Sequence, residues 1–242
     1  MVILIFFVAH WYASYFLQAF FHHRYASHNH ITMSKRTEKF FFLCCFFTHG
    51  SSYMSPYVYG IMHRIHHTYT DESEDPHSPH NEPNFFKLML LTRKNYQKFY
   101  SAQITIGKNL NKNLPEWNAF EHIVHNWISR GCWIIAYIIF YVLFATAWWM
   151  YLLLPITITM AAFQANIVNW WAHKFGYENF KLKNTSKNMF PVDLVFIGDA
   201  YHNNHHKYPG KIKNSYRWFE LDTIYYIINL MHKLKILRWK EM

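Results

Sequence analysis

Apolar and polar residues are segregated into long blocks along this chain. Residues 1–22 contain no Asp, Glu, Lys or Arg, and residues 131–172 are equally free of them. A bilayer crossing needs roughly 20 apolar residues, so the first block predicts one transmembrane helix and the second is long enough for two. Trp148, Trp149 and Pro155 lie near the middle of the second block, and tryptophan favours the membrane interface. The second block therefore predicts a transmembrane hairpin that turns close to these residues.

The remaining segments are polar. Residues 71–84 are rich in acids and prolines and predict a loop, whereas residues 221–236 predict a final amphipathic helix. Residues 40–63 also lack charged side chains, but glycine, serine and proline interrupt them. The two polar regions, 23–130 and 173–242, together predict a helical cap outside the bilayer.

Histidine is the compositional outlier, at 18 of 242 residues, and half of the histidines fall into clusters. The pattern H-x-x-H-H occurs twice, and on a helix its three positions lie within about 100° of arc, so three imidazoles face one way. Two looser clusters lie elsewhere: one comes directly after the first predicted span, and the other lies at the end of the last span. The nine clustered histidines and a neighbouring asparagine are His23, His28, His63, His66, His67, His173, His202, His205, His206 and Asn169.

This number of imidazoles predicts two metal ions. Structural zinc takes four ligands and catalytic zinc three, so nine are too many for one ion. Imidazole binds Fe, Cu, Zn and Ni, which leaves the metal open at this point. Haem fits poorly because it needs only two axial ligands, and the Glu-x-x-His signature of carboxylate di-iron bundles is missing. Asp71, Asp75 and Asp199 lie close to the H-x-x-H-H clusters and are predicted to orient the imidazoles through their distal N–H groups.

The clusters also constrain the topology, because all of them must meet on one side of the membrane. Zero or two crossings must then separate His28 from His63, so residues 40–63 are predicted to be interfacial, re-entrant or packed against the cap. The hairpin crosses twice and returns the third cluster to the same side. We therefore predict a single-domain, all-α integral membrane protein with about three transmembrane helices and a cytosolic helical cap that holds a di-metal centre.

Charge and cysteine content narrow the class further. The net charge is +10, with eight Lys or Arg against three acids between residues 207 and 242. Nucleic-acid binders spread such charge over a soluble surface, so nucleic acid is not expected as a partner. The basic excess fits the positive-inside rule and contact with anionic lipid headgroups. Cys44, Cys45 and Cys132 lie in or beside apolar runs without paired spacing, which argues against a disulfide scaffold.

In four segments the residues around the clustered histidines form longer motifs. They are His23-Arg-Tyr-Ala-Ser-His, the stretch from His63-Arg-Ile-His-His to Asp-Pro-His77, Asn169-Trp-Trp-Ala-His, and Gly198-Asp-Ala-Tyr-His-Asn-Asn-His-His-Lys-Tyr-Pro. In this order they resemble the histidine boxes of the membrane fatty acid desaturases. The similarity is to the acyl-CoA (stearoyl-CoA, delta-9) type in a short, bacterial-like form, and it runs from about residue 20 to residue 220.

The resemblance implies both the cofactor and the reaction. In that family nine histidines hold a non-haem di-iron centre, and an asparagine contacts one iron through water, which would be Asn169 here. The implied reaction is O2-dependent desaturation of a saturated acyl chain, carried as acyl-CoA, to a cis-monounsaturated product. Electrons would come from a carrier such as ferredoxin or a b-type cytochrome with its reductase. No catalytic residue is expected beyond the metal ligands.

Further expectations concern the surroundings of the site. Lys183, Lys187 and Arg217 are predicted to face the phosphates of the acyl carrier. Membrane lipid surrounds the spans, and a bacterial inner membrane with the active site on the cytoplasmic side is the expected location. The family usually has one more transmembrane helix before the first box, so we expect either a short form or a missing N-terminal helix that would bring the count to four. Asp199 stands where the family usually has Glu.

Two other functions stay open at the level of sequence. A His-box hydroxylase or ketolase that acts on a fatty acid, an alkane or a carotenoid would share the metal centre and differ in its product. A membrane metal transporter or store would need polar residues along a path through the bilayer, whereas the histidines here cluster on one side.

Overall fold

The computed structural model describes residues 1–240, and this part of the chain is mostly helical. Ten α-helices follow one another: α1 Val2–Leu17, α2 Lys35–His49, α3 Pro56–Thr68, α4 Phe85–Tyr100, α5 Asn118–Val124, α6 Trp127–Phe144, α7 Leu154–Ile158, α8 Met160–Trp171, α9 His202–Lys207 and α10 Thr223–Lys233. Helix α1 continues without a break into a π-helix over Gln18–Ser27, and short 3₁₀ turns precede α3 and α7 at Gly50–Ser52 and Trp148–Leu153. A mostly helical protein agrees with the predicted class.

Two helices are long and apolar enough to cross a membrane. They are the continuous helix Val2–Ser27 and helix α6. A third crossing is available only if Trp148–Ile158 and Met160–Trp171 count together, because these helices meet at an angle of 78°. The second arm of the predicted hairpin is therefore bent, and the count of membrane-capable helices in residues 1–240 is two or three.

Polar contacts join the membrane-capable helices. Gln164 of α8 accepts hydrogen bonds from Ser14 Oγ at 2.9 Å and Gln18 Nε2 at 2.7 Å, and all three side chains are buried. His10 Nε2 lies 2.7 Å from the carbonyl oxygen of Thr48. Such interhelical hydrogen bonds hold helices together where lipid provides no hydrophobic drive.

Residues 40–63 form two helices rather than one segment. Ser34 and Ser55 start α2 and α3 by accepting the backbone N–H groups of Thr37 and Val58, as N-cap serines do. Gly50 ends α2 with a φ of +52°, and a Cβ at this position would lie 1.9 Å from the Tyr137 hydroxyl. The sharp turn between α2 and α3 therefore requires glycine both for its backbone and for its contact with α6.

A short antiparallel sheet, which the sequence pattern did not predict, ties the two ends of the cap together. Strand β1, Ile31–Thr32, follows the first histidine cluster and pairs with β2, Arg238–Trp239. Lys240 adds a backbone hydrogen bond of 3.0 Å to His30. Most buried apolar side chains, including Phe20, Phe21 and Phe42, pack beneath this region, between the π-helix, α2 and α10.

Candidate metal centre

The nine clustered histidines converge in two groups. One ring nitrogen from each residue lies within 4.8 Å of the ring nitrogens of all other members of its group. The group of five contains His23, His28, His63, His67 and His205, and the group of four contains His66, His173, His202 and His206. The groups meet where the rings of His67 and His206 stack with centroids 4.5 Å apart. Helices α3 and α9, which carry the H-x-x-H-H patterns, contribute to both groups.

The π-helix explains how the first cluster reaches one group. In an α-helix, five residues advance the chain by about 140° beyond a full turn, so His23 and His28 would point apart. In the π-helix, a backbone N–H bonds to the carbonyl five residues earlier, as His28 does to His23 at 3.1 Å. The two rings therefore face each other with centroids 4.9 Å apart. His22 points elsewhere, with Nε2 3.1 Å from the carbonyl oxygen of Met54.

The spacing of the ring nitrogens fits metal ligands. Seven pairs of Nε2 atoms within the two groups lie 2.8–3.2 Å apart. Two nitrogens that bind one ion at right angles, each at roughly 2.1 Å, are about 3.0 Å apart. All nine rings are largely shielded from water, so without an ion these converging lone pairs would be poorly satisfied.

Two carboxylates orient rings of the group of four. His66 Nδ1 donates to Asp75 at 2.7 Å, which leaves the lone pair on Nε2, inside the group. Burial alone would raise the pKa of the Asp75 carboxyl, but His66 and His77 outweigh it and hold that pKa at about 2. His173 Nδ1 lies 3.2 Å from the Thr185 hydroxyl and 3.4 Å from Asp71. Both rings are thereby fixed in one tautomer.

A third carboxylate serves the group of five. His23 Nδ1 lies 3.0 Å from Asp199, and the guanidinium of Arg24 donates to the same carboxylate at 2.8 Å. Arg24 also bonds to Asp222 at 3.2 Å, and Asn214 bonds to Asp199 at 3.1 Å. Burial opposes ionisation of Asp199, yet His23 and Arg24 together lower its pKa. The charged network holds the acceptor that orients His23.

A small cavity of about 20 Å³ lies between the groups. His23 and His63 line it from the group of five and His202 from the group of four, with Asn169 and Asp199 beside them. Its other walls are mostly apolar or aromatic: Tyr15 and Gln18 come from the helix Val2–Ser27, Tyr59 from α3, and Ala165 and Val168 from α8. A reactant that enters from the bilayer would meet both histidine groups here.

The predicted basic residues lie away from this cavity. Lys187 pairs with Glu178, Arg217 Nε donates to Asn179 at 2.9 Å, and Lys183 is exposed. None of the three lines the space between the groups. Their role in binding an acyl carrier therefore stays a prediction.

Sequence reasoning missed several residues that shape the centre. The ring of His77 lies against that of His66, with centroids 4.8 Å apart, and the backbone N–H of His77 donates to Asp75 at 3.1 Å. Arg24 and Asp222 form a fully buried ion pair although 198 positions separate them. The Asp-Pro-His motif pointed towards His77, but no local pattern joins Arg24 to Asp222.

Replacing Asp75 with asparagine is expected to weaken metal binding about 10–100-fold, since loss of the carboxylate frees the His66 ring to turn. Metal content per protein after dialysis against a graded chelator series would measure the change. Glu74→Gln, at the exposed neighbouring position, is the matched control and should match the wild type. Equal retention of metal by both variants would contradict the orienting role of Asp75.

Comparisons with known proteins agree with this geometry. The family model for fatty acid desaturases matches residues 1–239. The chain is 24% identical to delta-9 acyl-lipid desaturase 1 of Arabidopsis thaliana, over 87% of this chain and 66% of that protein. It is 24% identical to sn-1 stearoyl-lipid 9-desaturase of Synechocystis sp., over 88% and 63%, and 22% identical to acyl-CoA 5-desaturase AL21 of Anemone leveillei, over 88% and 63%. The chain thus spans about two thirds of the length of these relatives. With its model matched over almost every residue, the chain belongs to the fatty acid desaturase family.

Proposed function

We propose that this protein introduces a cis double bond into a saturated fatty acyl chain, with O2 as the oxidant and two iron ions as the cofactor. The observation that carries this proposal is the convergence of nine imidazoles in adjoining groups of five and four around one cavity. Family membership supports the reaction class, because the relatives named above are desaturases of acyl lipids or acyl-CoA.

The residues present fit a di-iron cofactor. The group of five would hold one ion and the group of four the other, with Asn169 near the second group as a contact through water. When bound, the two ions supply the activation of O2 that removes two hydrogens from adjacent carbons. The balance is one O2, two electrons and two protons consumed for each double bond, with two water molecules released. The electrons come from a partner, for which a ferredoxin or a b-type cytochrome with its reductase is proposed.

The protein's own contribution is positioning. Asp75, Asp71 and Asp199 fix the tautomer of three rings and hold them in the orientation that metal binding needs. The cavity is enclosed by helices and shielded from bulk water, which limits side reactions. The carbon that is attacked is the one that the helices hold beside the centre, so the walls of the cavity set the position of the double bond.

For the acyl carrier we propose a membrane lipid. The sequence resemblance implied acyl-CoA, but the named relatives are acyl-lipid desaturases more often than acyl-CoA desaturases. We place the centre on the cytoplasmic face of the membrane, for which the eight Lys or Arg against three acids between residues 207 and 242 are the support. A bacterial inner membrane remains the expected location.

The expected product is a new monounsaturated fatty acid in a desaturase-deficient host that expresses this chain. Gas chromatography–mass spectrometry of derivatised double bonds would detect it and locate the bond.

Purified protein with an electron donor would then be given stearoyl phospholipid or stearoyl-CoA in parallel. Turnover of the phospholipid alone supports the lipid carrier, whereas turnover of stearoyl-CoA alone restores the acyl-CoA assignment. Hydroxylated or keto products would show that the protein is a hydroxylase or ketolase rather than a desaturase.

A further inference from the structure

The loop of the cap that contains Val195 and Phe196 runs alongside a membrane-capable helix, α1. Trp11, in the middle of α1, donates from Nε1 to the carbonyl oxygen of Val195 at 3.1 Å. Phe196 packs on the same helix, with ring centroids 6.0 Å from Trp11 and 5.0 Å from Tyr15. The α-helical stretch from Trp11 to Leu17 alone spans about 9 Å at roughly 1.5 Å per residue, and the π-helix adds to this distance before His23. The loop therefore reaches well below the level of the metal centre.

The tip of this loop, residues 192–195, is apolar where it faces outward. Val192, Leu194 and Val195 are 49%, 61% and 43% exposed. Such side chains next to one another on a surface mark a contact with an apolar environment. The surface that they extend is that of α1, whose outward side chains Ile5 and Val8 are exposed as well and face lipid in a membrane-spanning helix.

The polar groups in the second half of the loop are satisfied from within. The buried carboxylate of Asp193 accepts the backbone N–H groups of Phe196, Gly198 and Ala200 at 2.8, 2.8 and 3.0 Å. The Asp193 N–H donates to the Tyr201 hydroxyl at 3.1 Å. The backbone N–H groups of Val192, Leu194 and Val195 have no hydrogen-bond partner among the described residues, so the backbone of the tip belongs where water or lipid headgroups can bond to it.

Helix α10 begins beside the loop and carries an apolar stripe of its own. The N–H of Ile224 donates to the carbonyl oxygen of Ile197 at 3.0 Å, while Ile224 and Ile228 are buried against the cap. Tyr226 and Leu230, four residues apart, are exposed on another face. Lys233, Lys235 and Arg238 follow, a combination typical of helices that lie in the headgroup region of a bilayer.

We propose that the side chains of Val192, Leu194 and Val195 insert into the hydrocarbon beside α1, in the leaflet nearest the metal centre, while their backbone and α10 lie in the adjoining headgroup layer. The partner of this surface is the lipid bilayer itself, since the surface continues that of a membrane-spanning helix. The loop leads directly into Asp199 and His202, so the bilayer holds the last histidine cluster, His202 to His206, at a fixed depth. This anchor is additional to the two or three crossings and does not depend on the reaction proposed above.

The test places a single reactive cysteine at the loop tip in full-length protein reconstituted into lipid nanodiscs. The background variant replaces Cys44, Cys45 and Cys132 and must keep its metal content. Leu194→Cys is compared with Ile135→Cys, on the lipid-facing side of α6, and with Lys183→Cys, on the exposed cap. Reaction with a water-soluble maleimide is measured before and after denaturation in SDS. An environment-sensitive fluorophore on each cysteine is then quenched by nitroxide-labelled lipids.

We expect Leu194→Cys to behave like Ile135→Cys, with maleimide labelling at least 10-fold slower than at Lys183→Cys and strong quenching by acyl-chain nitroxides. Labelling as fast as at Lys183→Cys would overturn the proposal, because the tip would then face water. Slow labelling without lipid quenching would overturn it too. That result, with a Leu194→Cys disulfide between two chains, would show that a second copy covers the loop.

Discussion

Replacing His66 with alanine is expected to abolish desaturation and to release metal from the group of four. His66 is fully buried, its Nε2 lies 3.2 Å from that of His206, and Asp75 holds its ring in place. Mutation of a residue that only orients a ligand costs about 10–100-fold in metal affinity or activity, so the loss of a ligand should cost at least as much. The vacated volume would also leave the Asp75 carboxylate buried without its partner.

Product formation in the desaturase-deficient host and metal content of the purified protein would together test this expectation. His80→Ala is the matched control, because His80 is exposed on the loop that carries Asp75 and belongs to neither histidine group. The control should keep wild-type activity and metal. A His66→Ala protein with full activity would remove His66 from the proposed ligand set and would weaken the division into five and four.

Replacing Arg24 with methionine should lower the free energy of unfolding by about 3–5 kcal/mol, the cost of leaving buried charges without their partner. The guanidinium is 1% exposed and bonds to Asp199 and Asp222 and to the carbonyl oxygens of Ala19 and Ile212. Its removal leaves two buried carboxylates close together. Arg24→Lys should recover only part of the loss, since one ammonium group cannot reproduce the planar fork of donors.

Unfolding of the detergent-solubilised protein, followed by SDS titration, would measure the difference. Arg24→Met combined with Asp222→Asn should be more stable than Arg24→Met alone, because one of the orphaned charges is gone. Arg217→Met is the matched surface control, because this side chain is exposed and its guanidinium donates to Asn179, whereas the bond to Glu220 comes from the Arg217 backbone and survives the change. A loss of less than 1 kcal/mol in Arg24→Met would show that water reaches the network.

The sequence pattern predicted much of this architecture because its signals are local. Charge-free blocks are visible without any tertiary information, and they correspond to the membrane-capable helices. The two H-x-x-H-H patterns need only helical geometry to place three rings on one side, and α3 and α9 supply that geometry. Amphipathic spacing likewise indicated a helix over residues 221–236, where α10 covers Thr223–Lys233.

Features that depend on distant residues escaped the sequence analysis. No residue pattern marks the π-helix that turns His28 towards His23. The unfavourable backbone geometry of a π-helix is offset by contacts among the side chains that it brings together, and those side chains are distant in the sequence. The 78° bend before α8 falls at Thr159, between Ile158 and Met160, and neither glycine nor proline stands at that position to mark it in the sequence. The ion pair of Arg24 and Asp222 joins opposite ends of the chain, and single-sequence patterns carry no information about such pairs.

The pairing of Ile31–Thr32 with Arg238–Trp239 has a consequence for biosynthesis. The segment after His28 gains its strand partner only once residues 238 and 239 have left the ribosome. Until then the first histidine cluster is tethered on one side only, and His205 and His206 have themselves emerged only shortly before. Nascent chains should therefore lack a closed histidine site until residues 202–239 have emerged, and the proposed metal ions would bind only after that point.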